Sequence, residues 1–423
     1  MANVNSQIQI RLITKQQRYA VPDYPIFVNA SIDVSELNTI VNKFLKESKN
    51  IQNAVNFDFL ISSQLLHTSL REYIAETQVS TEEVIDVEYL KKYVSPEPQD
   101  CLIHDDWVST VAVCDKWILT GCYDNTLHIW TSTGKHRLVI PGHASPIKAV
   151  AWISVNDDNV SFVSASQDQT AITWKWDIAK NSVERLHIYK GHEKSVETVS
   201  VNHDTMLMAT GSSDTTLKIW LTSIQDELED GESMPKRAKM EHGKTQVSMC
   251  TMKGHKDAIS GVKWCDKTEI VTSSWDHTVK MWDSELGSIK REFVGEKSYF
   301  DVDYSSLAHA LITASADRHV RLYDPRSSEN AVMKTMYTSH TQWVQCVRWS
   351  TVIEYLFISG AYDDIVKLWD TRSPKTPLFD LTGHEDKVLC CDWLNSKLIA
   401  SGGADNTLRI FMSDIDQQFT NTI

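Results

Sequence analysis

Apolar and polar residues alternate along four short stretches in the first hundred residues of the chain. The alternation has a period of two, which predicts β-strands that bury one face. The first two stretches predict a hairpin. The stretches are IQIRLIT at 8–14, IFVNA at 26–30, FDFLI at 57–61 and VIDVEYL at 84–90.

A helix is predicted between the second and third of these strands. From Val34 to Leu45 the apolar residues recur at steps of three and four, as on one face of an amphipathic helix. Asp33 or Ser35 is placed to cap its N-terminus. Two strands, a helix and two or more strands within one small domain suit the β-grasp, the ubiquitin-like fold. We therefore assign residues 1–93 to an α+β ubiquitin-like domain.

The segment after this domain reads KKYVSPEPQD at 91–100. It has no Gly-Gly tail, so conjugation to other proteins in the manner of ubiquitin is not expected. Pro96 and Pro98 restrict the backbone, and we assign residues 94–100 to a short, stiff linker.

The remaining residues, 101–423, repeat one pattern seven times. Each copy places Ser or Thr four residues before an aspartate, and after the aspartate an alternating apolar run that ends on an aromatic residue. This arrangement predicts a strand, a tight turn and a second strand. The copies are TGCYDNTLHIW (120–130), SASQDQTAITW (164–174), TGSSDTTLKIW (210–220), TSSWDHTVKMW (272–282), TASADRHVRLY (313–323), SGAYDDIVKLW (359–369) and SGGADNTLRIF (401–411).

A histidine precedes six of the seven copies, and successive aspartates lie 41 to 46 residues apart except for one interval of 62. Such a period is typical of a four-stranded propeller blade. Here the sequence resembles the WD-repeat β-propeller family. The resemblance implies a closed ring in which the first strand of the domain completes the last blade, so we expect residues 101–103 to pair with 409–411. The predicted fold class is mainly β, a seven-bladed WD-repeat propeller preceded by an α+β ubiquitin-like domain.

Histidine, serine or threonine, aspartate and tryptophan recur together, and two interpretations of them compete. One set, such as His143, Ser164 and Asp168, has the composition of a nucleophilic triad. A catalytic site is needed only once, however, and the repetition favours a structural hydrogen-bond network that ties each loop to its own blade. The sets are His143, Ser164, Asp168 and Trp174; His192, Thr210, Asp214 and Trp220; His255, Thr272, Asp276 and Trp282; and His340, Ser359, Asp363 and Trp369.

Two copies depart from this pattern. The fifth has GEK at 295–297 where Gly-His is expected and Tyr323 in place of Trp. The seventh ends in Phe411, which has no N–H to donate. We expect these two blades to be less tightly tied.

The overall charge limits the partners of the chain. Forty-two Lys and Arg residues stand against 56 Asp and Glu, and the net charge of −14 argues against a general attraction to phosphate backbones or anionic lipids. The first residues show no signal-peptide pattern and no long apolar run follows, so we expect a soluble intracellular protein. The eight cysteines include no C-x-x-C pair and are expected to be reduced core thiols.

One interval between repeats contains an extra segment at about 223–246. It carries acidic residues followed by a basic cluster, with few apolar residues, and we expect a disordered surface loop. Its basic residues Lys236, Arg237 and Lys239 resemble a nuclear localisation signal. A charge run that is merely solvated is the open alternative.

A ubiquitin-like domain followed by a seven-bladed propeller resembles the Notchless-like class of ribosome-assembly factors. Within this class the likeness is to the WD-repeat subunits that act with pescadillo and the Block of Proliferation protein in the PeBoW complex. It rests on stretches such as EEVIDVEYLKKY, HDDWVS and SGGADNTL. The resemblance implies a non-enzymatic scaffold without a cofactor of its own, a monomer within the complex. Its expected place is the large-subunit pre-ribosome and its pre-rRNA, in the nucleolus and nucleoplasm.

The same resemblance implies a role for the adjacent carboxylates Glu82 and Glu83. In this class the ubiquitin-like domain is recognised by midasin, the ATPase that removes assembly factors from pre-ribosomes, and one glutamate of the domain completes a metal site of midasin. Magnesium takes one or two carboxylates among its oxygen ligands. The class pattern Thr-Glu-x-Val matches residues 81–84, which names Glu82 as the ligand and Glu83 as the second candidate.

Alternatives to both the site and the function stay open at this point. Ser80, Thr81, Glu82 and Glu83 also fit a capping box, in which Glu83 reaches back to the backbone of Ser80 and leaves Glu82 free. The propeller could instead recruit substrates for a ubiquitin-pathway or signalling adaptor. An enzyme is the least supported interpretation, because the sequence has no Gly-rich phosphate loop, zinc spacing or unrepeated acid–base pair.

Overall fold

The computed structural model describes most of the chain. The described residues are 7–49, 51, 53–62, 64–66, 68–77, 83–222, 244–326, 333–395 and 397–413. The chain divides into two compact units, Met1–Ser95 with Asp370–Thr376, and Pro96–Trp369 with Pro377–Ile423.

The first unit contains a five-stranded mixed sheet. Its elements are β1 (Gln7–Ile13), a short 3-10 turn (Gln17–Tyr19), β2 (Ile26–Asn29), α1 (Val34–Lys49), β3 (Phe57–Ile61), β4 (Gln64–Leu65), α2 (Leu70–Thr77) and β5 (Ile85–Lys91). The strands lie in the order β2-β1-β5-β3-β4. β1 and β5 run parallel, and the other neighbours are antiparallel. This is the predicted ubiquitin-like fold.

Helix α1 buries the apolar face that its periodicity predicted. Leu37 and Val41 on this face are fully buried. At its N-terminus, Oδ1 of Asp33 accepts a hydrogen bond from the backbone N–H of Glu36 at 2.8 Å, and the Glu36 carboxylate accepts one from the Asp33 N–H at 3.4 Å. Asp33, rather than Ser35, is therefore the cap, and the pair forms a capping box.

Two elements of this unit go beyond the sequence prediction, namely β4 and α2. Helix α2 buries Leu70 and Tyr73, and Ser69 and Glu72 pair at its N-terminus through hydrogen bonds of 3.4 Å. With so few buried positions, it is too short to show a helical period in the sequence. No helix in the described ranges is both long and apolar enough to cross a membrane.

The described residues of the second unit form seven sheets, which confirms the predicted seven-bladed propeller. We number the blades along the chain, and β6 (Glu97–Ile103) precedes them. Blade 1 consists of β7 (Val108–Val113), β8 (Trp117–Cys122), β9 (Thr126–Thr131) and β10 (His136–Pro141), and blade 2 of β11 (Ile147–Val155), β12 (Asn159–Ser166), β13 (Thr170–Asp177) and β14 (Ser182–Lys190). Blade 3 consists of β15 (Val196–Asn202), β16 (Leu207–Ser212), β17 (Thr216–Leu221) and β19 (Cys250–Lys253), and β18 (Lys244–Gln246) precedes β19 in the chain.

The remaining blades follow the same plan of four antiparallel strands. Blades 4 and 5 are β20 (Ile259–Trp264), β21 (Glu269–Ser274), β22 (Thr278–Asp283) and β23 (Ser288–Val294); and β24 (Tyr299–Ser305), β25 (Ala310–Ser315), β26 (Val320–Tyr323) and β27 (Met333–Tyr337). Blades 6 and 7 are β28 (Val344–Trp349), β29 (Leu356–Ala361), β30 (Val366–Asp370) and β31 (Phe379–Leu381); and β32 (Val388–Asn395), β33 (Leu398–Gly403) and β34 (Thr407–Met412), which is completed by β6.

Strand β6 closes the ring by pairing antiparallel with β34. Residues 101–103 face 407–409, two positions away from the predicted partners 409–411. The predicted linker 94–100 is also too long, because β6 already begins at Glu97. Pro98 lies at a shift in the strand register, on the outer strand of blade 7, where proline is tolerated.

The first strands of successive blades contact one another around the whole ring, including β32 against β7. Buried carboxylates on these strands bind the backbone of the next blade. Oδ2 of Asp303 accepts a hydrogen bond from the N–H of Trp349 at 2.8 Å, and Oδ2 of Asp392 accepts one from the N–H of Val113 at 2.6 Å. The second of these bonds joins blade 7 to blade 1, so it reinforces the closure made by β6.

The charged insertion is only partly described. Most of the expected disordered loop at 223–246 lies outside the described residues. Its last three residues form β18, which pairs in parallel with β14 and adds a fifth strand to blade 2. The prediction is therefore wrong for 244–246, because backbone hydrogen bonds to an edge strand order a segment that has no apolar pattern of its own.

The eight cysteines are free thiols. Four are buried and three are half-buried, whereas Cys101 on β6 is exposed. The expectation of core thiols is wrong for Cys101, because β6 is the outer strand of blade 7.

Candidate partner-binding sites

Only one of the two predicted ligand carboxylates can be placed. Glu82, with Ser80 and Thr81, lies outside the described residues. Glu83 is exposed and precedes β5 by two residues. A strand rather than a helix follows Glu83, so the described chain offers no helix N-terminus for it to cap. The local structure thus presents Glu83 to solvent at the start of β5.

Strand β5, which follows Glu83, is held in the sheet on both sides. β5 lies between β1 and β3 in the sheet, and its residues Val87 and Tyr89 are buried. The next carboxylate along the chain, Asp86, is already engaged, since Arg11 donates two hydrogen bonds of 2.7 Å to it. These hydrogen bonds also lower the pKa of Asp86. Asp86 is therefore excluded as a free ligand for a partner's metal.

The repeated polar residues of the propeller form the four-membered sets that the sequence predicted. In blade 4, Nε2 of His255 lies 2.7 Å from Oγ1 of Thr272, and Nδ1 lies 2.8 Å from Oδ2 of Asp276. Nε1–H of Trp282 donates to the same threonine oxygen at 2.8 Å. Blades 2, 3 and 6 repeat these contacts at 2.7 to 2.9 Å.

One proton arrangement satisfies every member of such a set. The tryptophan donates to the hydroxyl oxygen, the hydroxyl donates to Nε2 of the histidine, and Nδ1–H donates to the aspartate. Burial raises the pKa of Asp168, Asp214 and Asp276, but the hydrogen bonds from histidine, threonine and backbone N–H groups, together with the nearby histidine, outweigh it and hold each pKa well below the usual range. Ser164 and Thr272 have no exposed surface. A substrate cannot reach these hydroxyls, which argues against a nucleophilic triad.

A tight turn follows the aspartate in every blade. The residue after it adopts a left-handed conformation with φ between 61° and 71° in all seven copies. In blade 4, Oδ1 of Asp276 accepts hydrogen bonds from the backbone N–H and the hydroxyl of Thr278, at 2.9 and 2.6 Å. The aspartate therefore stabilises both the turn and the position of the histidine. The left-handed backbone of the turn is strained, which explains why an aspartate that stabilises it recurs in every blade.

The two departing blades differ in what replaces the missing members. In blade 5, Asp317 is bound by Arg321, and the hydroxyls of Tyr299 and Tyr323 lie 2.7 Å apart. Blade 7 keeps the histidine, serine and aspartate contacts at 2.8 to 2.9 Å but lacks the tryptophan donor. Blade 5 is thus stabilised by an arginine–aspartate contact and a tyrosine pair in place of the four-membered set. That both blades are held less tightly than the others stays a prediction.

Exposed and half-buried aromatic residues cluster at one face of the propeller. Trp107 and Trp343 directly precede the first strands of blades 1 and 6, and they are 42% and 48% exposed. Tyr123 and Tyr362 directly follow the second strands of the same blades. Antiparallel neighbours place these ends at the same edge, and the rings are in contact, with centroids 5.4 Å apart in blade 1 and 5.7 Å apart in blade 6. We call these four residues the aromatic face.

Two lysines extend this face. Nζ of Lys148 lies 4.9 Å from the ring centroid of Tyr123, and Nζ of Lys387 lies 5.3 Å from that of Tyr362. Such cation–π contacts hold the lysine side chains beside the rings. The sequence analysis missed the aromatic face, although an aromatic residue directly before a predicted first strand is a signal that would have found it.

The three basic residues of the localisation-like cluster, Lys236, Arg237 and Lys239, lie outside the described residues. The nuclear reading of that cluster therefore stays a prediction.

Comparison with known proteins identifies relatives along almost the entire length of the chain. The NLE (NUC135) domain model matches residues 8–74. The model of the WD domain, G-beta repeat, matches 97–131, 134–175, 183–220, 246–283, 332–370 and 375–411. Most of blade 5 falls between the fourth and fifth of these matches, where the histidine and tryptophan of the repeat are missing.

Full-length relatives are similar to both units of the chain. The Ribosome biogenesis protein WDR12 homolog of Aedes aegypti is 51% identical over 410 residues, covering 97% of this chain and 96% of the relative. The homologs of Culex quinquefasciatus and Drosophila virilis, which carry the same name, are each 52% identical over 411 residues with the same coverage.

Proposed function

Because the chain belongs to the family of the ribosome biogenesis proteins named WDR12 homologs, we propose that it is a non-enzymatic assembly factor of the large ribosomal subunit. The observation that carries this proposal is the 51% identity over 97% of the chain. In this function the chain is a scaffold of the PeBoW complex, with pescadillo and the Block of Proliferation protein as partners. It acts on pre-ribosomal particles in the nucleolus and nucleoplasm and is a monomer within its complex.

The chemistry of the propeller supports a scaffold. The polar sets that resemble catalytic residues are hydrogen-bonded among themselves, and their hydroxyl groups are buried. What the propeller offers to solvent instead is the aromatic face with its two lysines. Tryptophan and tyrosine are the residues that most often dominate the binding energy of protein interfaces. We therefore assign a protein partner to this face.

This assignment is tested with two matched substitutions. Trp343→Ala removes an anchor from the aromatic face, and Leu286→Ala removes an even more exposed apolar side chain from the turn between β22 and β23, at the opposite edge of the blades. We expect Trp343→Ala to weaken binding of the Block of Proliferation protein by about 30-fold or more, as for an interface hot spot. Leu286→Ala should leave the affinity unchanged, and equal effects of the two would refute the assignment.

In the proposed function, midasin binds the ubiquitin-like unit when it removes the protein from the pre-ribosome. We assign Glu82 as the carboxylate that completes a magnesium site of midasin, with Glu83 as its neighbour in the same segment. The exposure of Glu83 and the firm pairing of β5 support this, because a ligand offered to another protein must be accessible and anchored. Magnesium demands near-octahedral geometry, so a correctly placed carboxylate is needed.

The assignment of Glu82 is tested by measuring the affinity of the full chain for midasin's metal-site domain with magnesium and with a chelator. We expect binding to require magnesium and to be lost in Glu82→Ala, with Glu83→Ala as the matched neighbouring control. Glu82→Asp shortens the side chain by one methylene and should also impair binding. Binding that persists with the chelator and in Glu82→Ala would contradict the assignment.

A ubiquitin-pathway adaptor is the second candidate, because the first unit has the ubiquitin-like fold. Purification of the tagged chain from cells separates the two functions. Pescadillo and large-subunit precursor RNA in the purified material support the scaffold. Ligase subunits without these components would favour the adaptor.

A further inference from the structure

Blade 1 has the residues of the repeat but arranges them differently. Nε2 of His104 lies 3.0 Å from Oγ1 of Thr120, as in the other blades. Among the described residues, Asp124 makes no hydrogen bond to this histidine. Its Oδ1 instead accepts hydrogen bonds of 2.9 and 2.6 Å from the backbone and hydroxyl of Thr126. Nδ1 of His104 is buried and makes no well-aligned hydrogen bond within the described residues.

The aspartate of blade 1 is drawn instead into a cluster of metal-binding side chains. The Cys122 thiol, the Asp124 carboxylate and a ring nitrogen of His128 lie within 4.8 Å of one another. Cys122 has no exposed surface, and His128 is 7% exposed. A further histidine adjoins them, because Nε2 of His136 lies 3.3 Å from Nδ1 of His128.

The equivalent positions of other blades carry residues of a different kind. Two residues before the aspartate, blades 2 to 5 have serine, whereas blade 1 has Cys122. Four residues after it, blades 3 to 7 have lysine or arginine, whereas blade 1 has His128. Both replacements supply a metal ligand, and both occur in the blade whose aspartate is not bound to its histidine.

We propose that Cys122, Asp124 and His128 bind a zinc ion in blade 1. Zinc prefers thiolate, imidazole and carboxylate ligands at roughly 2.0 to 2.3 Å, which requires the three side chains to close by about 1 Å. One thiolate and one carboxylate neutralise the charge of the ion, so the buried complex carries no net charge. The fourth position is left to a neighbouring histidine or to water.

Zinc has to replace contacts that these side chains make without it. Oγ1 of Thr126 lies 2.9 Å from Nε2 of His128 and donates a hydrogen bond of 2.6 Å to Oδ1 of Asp124. Ligation by the Cys122 thiol breaks its S–H bond, forms a Zn–S bond and releases one proton to solvent.

The test uses the purified full chain, freed of metal with a chelator and titrated with cobalt(II), whose visible spectrum reports thiolate ligation. We expect one equivalent of cobalt to give sulfur-to-metal charge-transfer and tetrahedral d–d bands, and zinc to displace it. Cys122→Ser should abolish the charge-transfer band. Cys114→Ser changes another thiol of blade 1 and should leave the band intact, as should replacement of the exposed Cys101 by serine.

A second variant keeps the proposal testable if the loss of the buried thiol impairs folding. Asp124→Asn retains an oxygen for the Thr126 hydrogen bonds but removes the charge. We expect it to weaken cobalt and zinc binding at least 10-fold while the thermal unfolding of the metal-free chain changes little. A charge-transfer band that survives Cys122→Ser, or the absence of any band at micromolar cobalt, would overturn the zinc site.

Discussion

The threonine of the four-membered set offers a direct measure of what the set contributes to stability. Thr272 in blade 4 and Thr313 in blade 5 occupy the same position of the repeat, and neither has exposed surface. Oγ1 of Thr272 contacts His255 and Trp282 at 2.7 and 2.8 Å, whereas Oγ1 of Thr313 has no hydrogen-bond partner among the described residues. Threonine to valine at each position replaces a hydroxyl by a methyl group of the same shape.

The two changes are expected to have opposite consequences. Thr272→Val leaves Nε2 of His255 and Nε1–H of Trp282 buried without a partner. Each unsatisfied group costs about 1 to 3 kcal/mol, so the free energy of unfolding should fall by roughly 2 to 6 kcal/mol. Thr313→Val removes an unpaired buried hydroxyl and should be neutral or stabilising by about 1 kcal/mol.

Thermal unfolding followed by circular dichroism measures both variants against the parent chain. At about 2 °C per kcal/mol for a domain of this size, Thr272→Val should lower the midpoint by roughly 4 to 12 °C. Thr313→Val should leave it unchanged or raise it slightly. Equal losses in the two variants would refute the reasoning, since they would show that the hydroxyl is needed for a reason other than its partners.

Three further predictions concern other stabilising contacts in the propeller. Tyr323→Phe removes the partner of the buried Tyr299 hydroxyl and should cost about 1 to 3 kcal/mol in urea unfolding, with the cost disappearing when Tyr299→Phe is added. Leu102→Ala on the closing strand should cost about 2 to 5 kcal/mol, whereas the 77% exposed Ile103→Ala should cost under about 0.5 kcal/mol; similar costs would argue against the observed register. Burial lowers the pKa of His104 from 6.5 to about 4, so its contribution to stability is present above pH 6.5 and lost as the pH falls towards 4. The His104→Gln variant should lose less stability than the parent chain over that pH range. An identical dependence of unfolding stability on pH in the two chains would contradict the lowered pKa of His104.

Much of the propeller is predictable because its pattern is local and repeated. The aspartate of each copy lies within a single hairpin, so its spacing from the strands can be read directly from the chain. The hydrogen bonds of His255, Thr272 and Asp276 join residue types that recur in the same order in other blades, and repetition alone distinguishes them from a catalytic site. For the first unit, Leu37 and Val41 reveal the buried face of α1, since an amphipathic helix is also a local pattern.

The tertiary structure decided whatever depends on partners distant in the chain. The register of β6 against β34 and the pairing of β18 with β14 have no local signal. The cluster of Cys122, Asp124 and His128 depends on how one blade turns its aspartate away from His104. The sequence by itself thus determined the repeat, the two domains and the family, because these follow from periodicity and residue type, whereas only the folded chain determined which polar groups meet.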